Sequence, residues 1–150
     1  MQLTSPAFKQ GESIPSLYTC QGKDINPPLI ISNVPKNAKA LVLIMDDPDV
    51  PLSLRKDGMW VHWVIFNIPP ETRNIEENTN SMGILGKGTR GDNRYQGPCP
   101  PDREHRYFFK LYALDSLLNL KVGATKEEVE QEMEGHVLAY SELMGKYQKK

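Results

Sequence analysis

The chain has 150 residues, 39% hydrophobic and 25% charged. This is the length of one domain that buries roughly 70% of its unfolded surface, and it excludes two large domains, a disordered chain and a fibre. Eighteen Lys and Arg stand against 19 Asp and Glu, a formal net charge of -1, so no overall field draws the chain to nucleic acid or to an anionic lipid surface. The longest apolar runs, 40–45 and 64–66, are far shorter than the ~18 residues of a spanning helix. The first residues, Met1 through Pro6, carry neither the charged nor the apolar region of a secretory signal, so the expected compartment is the cytoplasm.

Twelve prolines and 11 glycines cut the chain into short segments, which favours strands over helices. The first strong signal is the run 40–45, apolar on both alternating faces and therefore a strand covered on both sides. It runs into Asp46-Asp47-Pro48-Asp49-Val50-Pro51, where the prolines remove ladder donors and end it. The run 60–67, rich in aromatic and β-branched residues and closed by Pro69 and Pro70, reads as a second central strand.

From Glu71 to Gly97 no periodicity survives, and a connection of that length is expected to border a functional site or to fray. A third core strand follows over 106–114. Alternation sets His105, Tyr107, Phe109 and Leu111 on one face and Arg106, Phe108, Lys110 and Tyr112 on the other. A helix begins after Thr125, which with Glu128 forms a Thr-x-x-Glu capping box, buries Val129 and Met133, and stops at Gly135. Beyond His136 the pattern admits either strand or helix.

Four polar groups stand at the ends of these apolar strands. Taken singly, His62 reads as a core histidine in need of a partner and Asp47 as a turn former. His105 and Tyr107 share one face of the third strand. Together they form two imidazoles, a carboxylate and a phenol, the composition of a site rather than of a core. Beside them, Gly97-Pro98-Cys99-Pro100-Pro101 is a stiff run in which only Cys99 between Pro98 and Pro101 has a backbone N–H to offer an oxyanion. Cys20 and Cys99 show no Cys-x-x-Cys or zinc-finger spacing, and in a reducing cytoplasm both are expected to stay thiols.

Four ordered motifs carry a resemblance: the segment 43–51 with its Asp47-Pro48-Asp49, the segment 60–63 with Trp60 and His62, the segment 95–101 around Cys99, and the segment 105–115 beginning His105-Arg106-Tyr107. The chain resembles the phosphatidylethanolamine-binding protein family, and within it the bacterial and archaeal members often labelled Raf-kinase-inhibitor-like. The resemblance implies a mainly β fold, a single sandwich-like domain over 1–150 around a large antiparallel sheet with a few short peripheral helices, and a strand rather than a helix over 137–147. It also implies a small pocket for phosphate, phosphorylated head groups or other anions, formed by Asp47, Asp49, Trp60, His62, Cys99, Pro100, His105 and Tyr107. Where the family has a glycine before its His-Arg pair this chain has Arg103, a change expected to alter the rim. Eukaryotic members cover the pocket with a C-terminal helix, and a chain ending at Lys150 is expected to leave it more open.

The function expected is therefore binding without turnover, with no cofactor and no metal. The imidazoles and the Tyr107 hydroxyl would donate to an oxyanion while Asp47 orients a histidine, a combination that favours a monoanion or an ester able to share a proton. The resemblance also admits a kinase, a serine protease or a second copy of the chain as partner. Two enzymatic alternatives stand beside this reading: a thiol hydrolase with Cys99 as nucleophile and His105 as base, and a metal site built from Asp47, His62 and His105.

Overall fold

The computed structural model describes residues 1–80 and 82–150. In chain order the strands are β1 (Gln2–Thr4), β2 (Leu29–Ser32), β3 (Ala40–Asp47), β4 (Trp60–Ile68), β5 (Asn74–Ile75), β6 (Ile84–Leu85), β7 (His105–Leu114) and β8 (Val137–Tyr147). One helix, α1 (Lys126–Met133), precedes β8, and a single 3-10 turn spans Ser16–Tyr18. The strands form two antiparallel sheets, a small one in the order β1-β2-β5 and a five-stranded one in the order β6-β4-β3-β7-β8. The fold is mainly β, as the motifs imply.

Alternation along the central strands divides the core between two faces. Leu41, Leu43 and Met45 of β3, with Trp63 and Phe109, pack toward the small sheet and its Leu3 and Ile31. Val42 and Ile44, with Val64 and Phe66, pack against Val129 and Met133 of α1. β3 is buried along its whole length because it lies between two strands and two layers. The same alternation separates its last two residues. Asp46 goes to the helix side, where its fully buried Oδ2 accepts from Lys126 Nζ at 2.8 Å and Lys110 Nζ at 3.0 Å, while Asp47 goes to the other.

The helix is capped as its sequence predicts. Thr125 Oγ1 accepts from the Glu128 amide, Glu128 Oε1 accepts from the Thr125 amide, and Gly135 takes a φ of +80° just past the end. The region after His136 resolves into β8, which pairs with β7 from His105↔Tyr147 to Leu114↔Val137. Within 71–97 the structure places the two-residue strands β5 and β6, and the segment returns to the site at Gln96, so it borders rather than frays; position 81 lies outside the described residues.

Cys20 and Cys99 are joined in a disulfide, Cα–Cα 5.5 Å, across a sequence separation of 79. This corrects the expectation of free thiols. The physical reason is proximity created by the fold: the turn 97–101 lies against the loop after the 3-10 turn, where Cys20 N–H donates to Pro98 O at 3.1 Å and Gly97 N–H to Asp24 Oδ1 at 2.7 Å. No helix among the described residues is long and apolar enough to cross a membrane.

Candidate functional site

Antiparallel order gathers the site. The C-terminal end of β3 and the N-terminal ends of β4 and β7 meet at one end of the large sheet, with Asp47 opposite Trp60 and Asp46 opposite Phe108. Pro48 ends β3, and Asp47 Oδ1 accepts the Asp49 amide at 2.7 Å to form the turn that leaves the sheet. A cavity of about 220 Å³ opens there, walled by Asp47, Trp60, His62, Gln96, Cys99, Pro100, His105 and Tyr107, with Val50, Leu54 and Pro101 completing it. Seven of the eight residues singled out in the sequence thus share one cavity.

The eighth, Asp49, does not line it, which corrects the expectation. Its carboxylate is held by Arg106, Oδ2 accepting from Nε at 2.9 Å and from the Arg106 amide at 2.9 Å, Oδ1 from Nη2 at 2.8 Å. These bonds hold the Asp49 carboxyl below its ordinary range despite some desolvation. Asp49 therefore fastens the β3 exit loop to β7 and supports the wall from behind.

His105 is fully buried and both of its nitrogens are taken: Nδ1 lies 2.7 Å from Asp47 Oδ2 and Nε2 lies 2.7 Å from Asp102 Oδ1. With both carboxylates ionised each nitrogen carries a proton. Burial pushes the Asp47 carboxyl up, and the bonds from His105 and the Asp49 amide oppose that rise. The bond from His105 holds Asp102 down. The expectation that His105 donates to a ligand is therefore corrected, since it has no nitrogen left over.

His62 behaves differently. Its Nδ1 is 2.7 Å from Gln96 O, and because a carbonyl only accepts, this nitrogen carries the proton. Desolvation lowers the ring's pKa from 6.5 to about 4, so the imidazole is neutral at neutral pH. Its Nε2 is then an acceptor, not the donor that the sequence reading assigned. Gln96 also donates its amide to His62 O at 3.0 Å and accepts from Trp60 Nε1 at 3.0 Å, which fixes both rings.

Tyr107 is completely buried, edge-on to His62 with ring centroids 5.3 Å apart, and its hydroxyl proton has no acceptor among the described residues. Burial and the carboxylates of Asp47, Asp49 and Asp102 push the phenol far above its ordinary value, while the Cys99 amide opposes the rise. The group stays a protonated donor at any physiological pH.

The thiol alternative loses its nucleophile in this structure. The Cys99 sulfur is bonded to Cys20, so no thiolate is present, and the proposed base His105 is held by two carboxylates. Among the described residues no group of three His, Cys, Asp or Glu is placed to hold a metal ion. Sequence reasoning missed Gln96 and Asp102. Gln96 stands immediately before the Gly97-Pro98-Cys99 run, and Asp102 stands three residues before His105 directly after two prolines; those placements were the available signals.

A two-sheet β fold with a small cavity at the strand ends is the architecture that the motifs implied, and comparison with known proteins gives it a family. The model of the phosphatidylethanolamine-binding protein family matches residues 4–148. The chain belongs to that family. It is 50% identical over 149 residues to a UPF0098 protein of Chlamydia trachomatis, covering 99% of each chain. The crystal structure of a phosphatidylethanolamine-binding protein homologue, CT736, from the same species superposes with a TM-score of 0.97 at 50% identity, over 99% of this chain and 97% of that one. YbcL of Escherichia coli, described as a member of the mammalian family, superposes with a TM-score of 0.88 at 25% identity, over 99% of this chain and 98% of that one.

Proposed function

We propose that the protein binds a small oxyanion, a phosphate or a phosphorylated head group, in the cavity at the end of the large sheet, without turning it over. The observation that carries this reading is the Tyr107 hydroxyl, a buried donor in the cavity wall with no acceptor among the described residues. An unpartnered buried hydroxyl costs roughly 1 to 3 kcal/mol, which a ligand oxygen would recover. The size of the cavity, about 220 Å³, is suited to a head group rather than to a whole lipid. The family membership supports the ligand class, as the family is named for a phospholipid whose head group is a phosphate ester.

Modulation of a kinase or a serine protease is a second reading, supported by Leu52 and Leu54, which are 71% and 62% exposed on the loop beside the cavity, Leu54 forming part of its wall. Calorimetric titration with phosphoethanolamine tests the first reading. Binding should be present in the native protein and weakened on Tyr107→Phe by roughly 1.5 to 3 kcal/mol, the range for a hydrogen bond to a charged group. Equal affinity in both proteins would place the ligand elsewhere.

A further inference from the structure

The cavity has an uneven supply of hydrogen-bonding groups. Of its two histidines, His105 has both nitrogens engaged by carboxylates, and His62 presents an unprotonated Nε2 because Nδ1 is committed to Gln96 O. The free side-chain polar groups of the two histidines and Tyr107 are thus one acceptor, His62 Nε2, and one hydroxyl, Tyr107. Charge points the same way. Two carboxyl groups, Asp47 and Asp102, flank a single imidazole.

Charged groups from several elements surround that trio. Arg106 of β7 is paired with Asp49. Arg103 pairs with Asp102 at 3.8 Å on the outer side and donates to the carbonyls of Asp49 and Glu104 at 3.3 Å, and Lys149 lines a small outer cavity with Asp102 and Arg103. His62 of β4 and Tyr107 of β7 are uncharged. A dianion entering this cavity would meet the Asp47 carboxyl in its wall, with the Tyr107 hydroxyl and the Gln96 side-chain amide as its side-chain donors.

We propose that Asp102 is a specificity-determining residue: by occupying His105 Nε2 it leaves a cavity that selects an oxyacid still carrying one proton, donated to His62 Nε2, with an anionic oxygen accepting from Tyr107. This deepens the binding function proposed above and rests on it. Asp102 sits in the loop after Pro101 with its side chain 40% exposed, so removing it alters the ligand-facing nitrogen without opening the core. Asp102→Ala frees His105 Nε2 and removes one negative charge. Asp102→Asn removes the charge but leaves an amide oxygen to accept from the same nitrogen, and so separates occupancy from charge.

The experiment is calorimetric titration of the full chain with phenyl phosphate, whose second proton leaves at about pH 6, and with methyl phenyl phosphate, a diester that keeps one negative charge and has no proton to give. The native protein should bind phenyl phosphate about tenfold or more tightly near pH 5 than near pH 8, and should bind the diester more weakly than the monoester near pH 5. Asp102→Ala should lose most of that pH preference through tighter binding near pH 8, with Asp102→Asn between the two. A native protein indifferent to pH, or an Asp102→Ala protein with the native preference intact, overturns the role of Asp102 while leaving the pocket reading standing. Absence of binding by either probe under every condition overturns the pocket reading and this one with it.

Discussion

Asp47 Oδ2 and His105 Nδ1 lie 2.7 Å apart across the adjacent ends of β3 and β7, with both side chains nearly or wholly out of solvent. The contact is where the packing of the sheet and the chemistry of the cavity coincide, because it ties the strand that Pro48 terminates to the strand that carries Tyr107. Removing one partner of a buried hydrogen bond leaves the other unsatisfied, which costs about 1 to 3 kcal/mol. Asp47→Ala should lower stability by at least that amount in urea titrations at neutral pH. A loss below about 1 kcal/mol would show that His105 is satisfied without it.

The disulfide makes a second prediction. Cross-linking across a separation of 79 residues restricts the unfolded chain by about 4 kcal/mol in the loop-entropy description. Cys20→Ser should destabilise by up to that figure, and reductant should bring the native protein to the same melting temperature. The hydrogen bonds Cys20 N–H to Pro98 O and Tyr95 Oη to Tyr18 O still hold the turn 97–101 near its loop, so the fold should survive. Both cysteines are exposed, and a bond of this kind persists in oxidising compartments. Alkylation of freshly lysed cells, read by mass spectrometry, checks it: unmodified cysteines are expected, and complete alkylation of both would restore the thiol expectation.

The three central strands were legible because each is a dense apolar run ended by proline or a capping residue, and the capping box located the helix to the residue. β1 and β2 were not, since strands of three and four residues are too short to show a periodicity. In the site, residue types were visible and hydrogen-bond roles were not. Asp47, Trp60, His62, Cys99, Pro100, His105 and Tyr107 share the cavity as their motifs implied, yet the sequence cannot show that Gln96 O takes the His62 proton or that Asp102 reaches back to His105. Those facts depend on how loops fold against strand ends. The cysteine pairing was hidden for the same reason.

Gly97 shows how closely the rim is packed. A methyl group there would collide with the Tyr18 carbonyl oxygen and Asp24 Oδ1, and lie 2.9 Å from Thr19 Cα. The Asp24 carboxylate accepts the Gly97 amide, so the clash would separate the two loops that the disulfide joins. Gly97→Ala should lose about 1 to 3 kcal/mol of stability, the range for overpacking a tight site, and should weaken phosphoethanolamine binding, because Cys99 and Pro100 in the cavity wall move with the turn. The control is Gly91→Ala, whose added carbon meets nothing within 4 Å and whose positive φ of 104° supplies backbone strain without the clash. If the two variants bind the ligand equally well, the rim does not depend on this contact.

The last prediction concerns acid. His62 has a folded pKa lowered from 6.5 to about 4, chiefly by desolvation. Above pH 6.5 the ring is neutral in both the folded and the unfolded chain and contributes no pH dependence. As pH falls from 6.5 toward 4 the unfolded chain takes up a proton that the folded chain refuses, so the unfolded state is favoured progressively and stability declines. Over that window the loss reaches on the order of 3 kcal/mol, and below about pH 4 both states are protonated and the slope from this residue ends. Asp47 acts with the opposite sign, since its raised folded pKa relieves a penalty as pH falls, but that contribution is shared by a variant that changes only position 62. His62→Gln, which keeps an N–H able to donate to Gln96 O, should therefore be less stable than the native protein near pH 7.5 and close that gap by pH 4, as measured by urea titration at each pH. Parallel stability curves for the two proteins across this range would mean that the His62 ring protonates in the fold at its ordinary value, and that its Nε2 is a donor to the ligand after all.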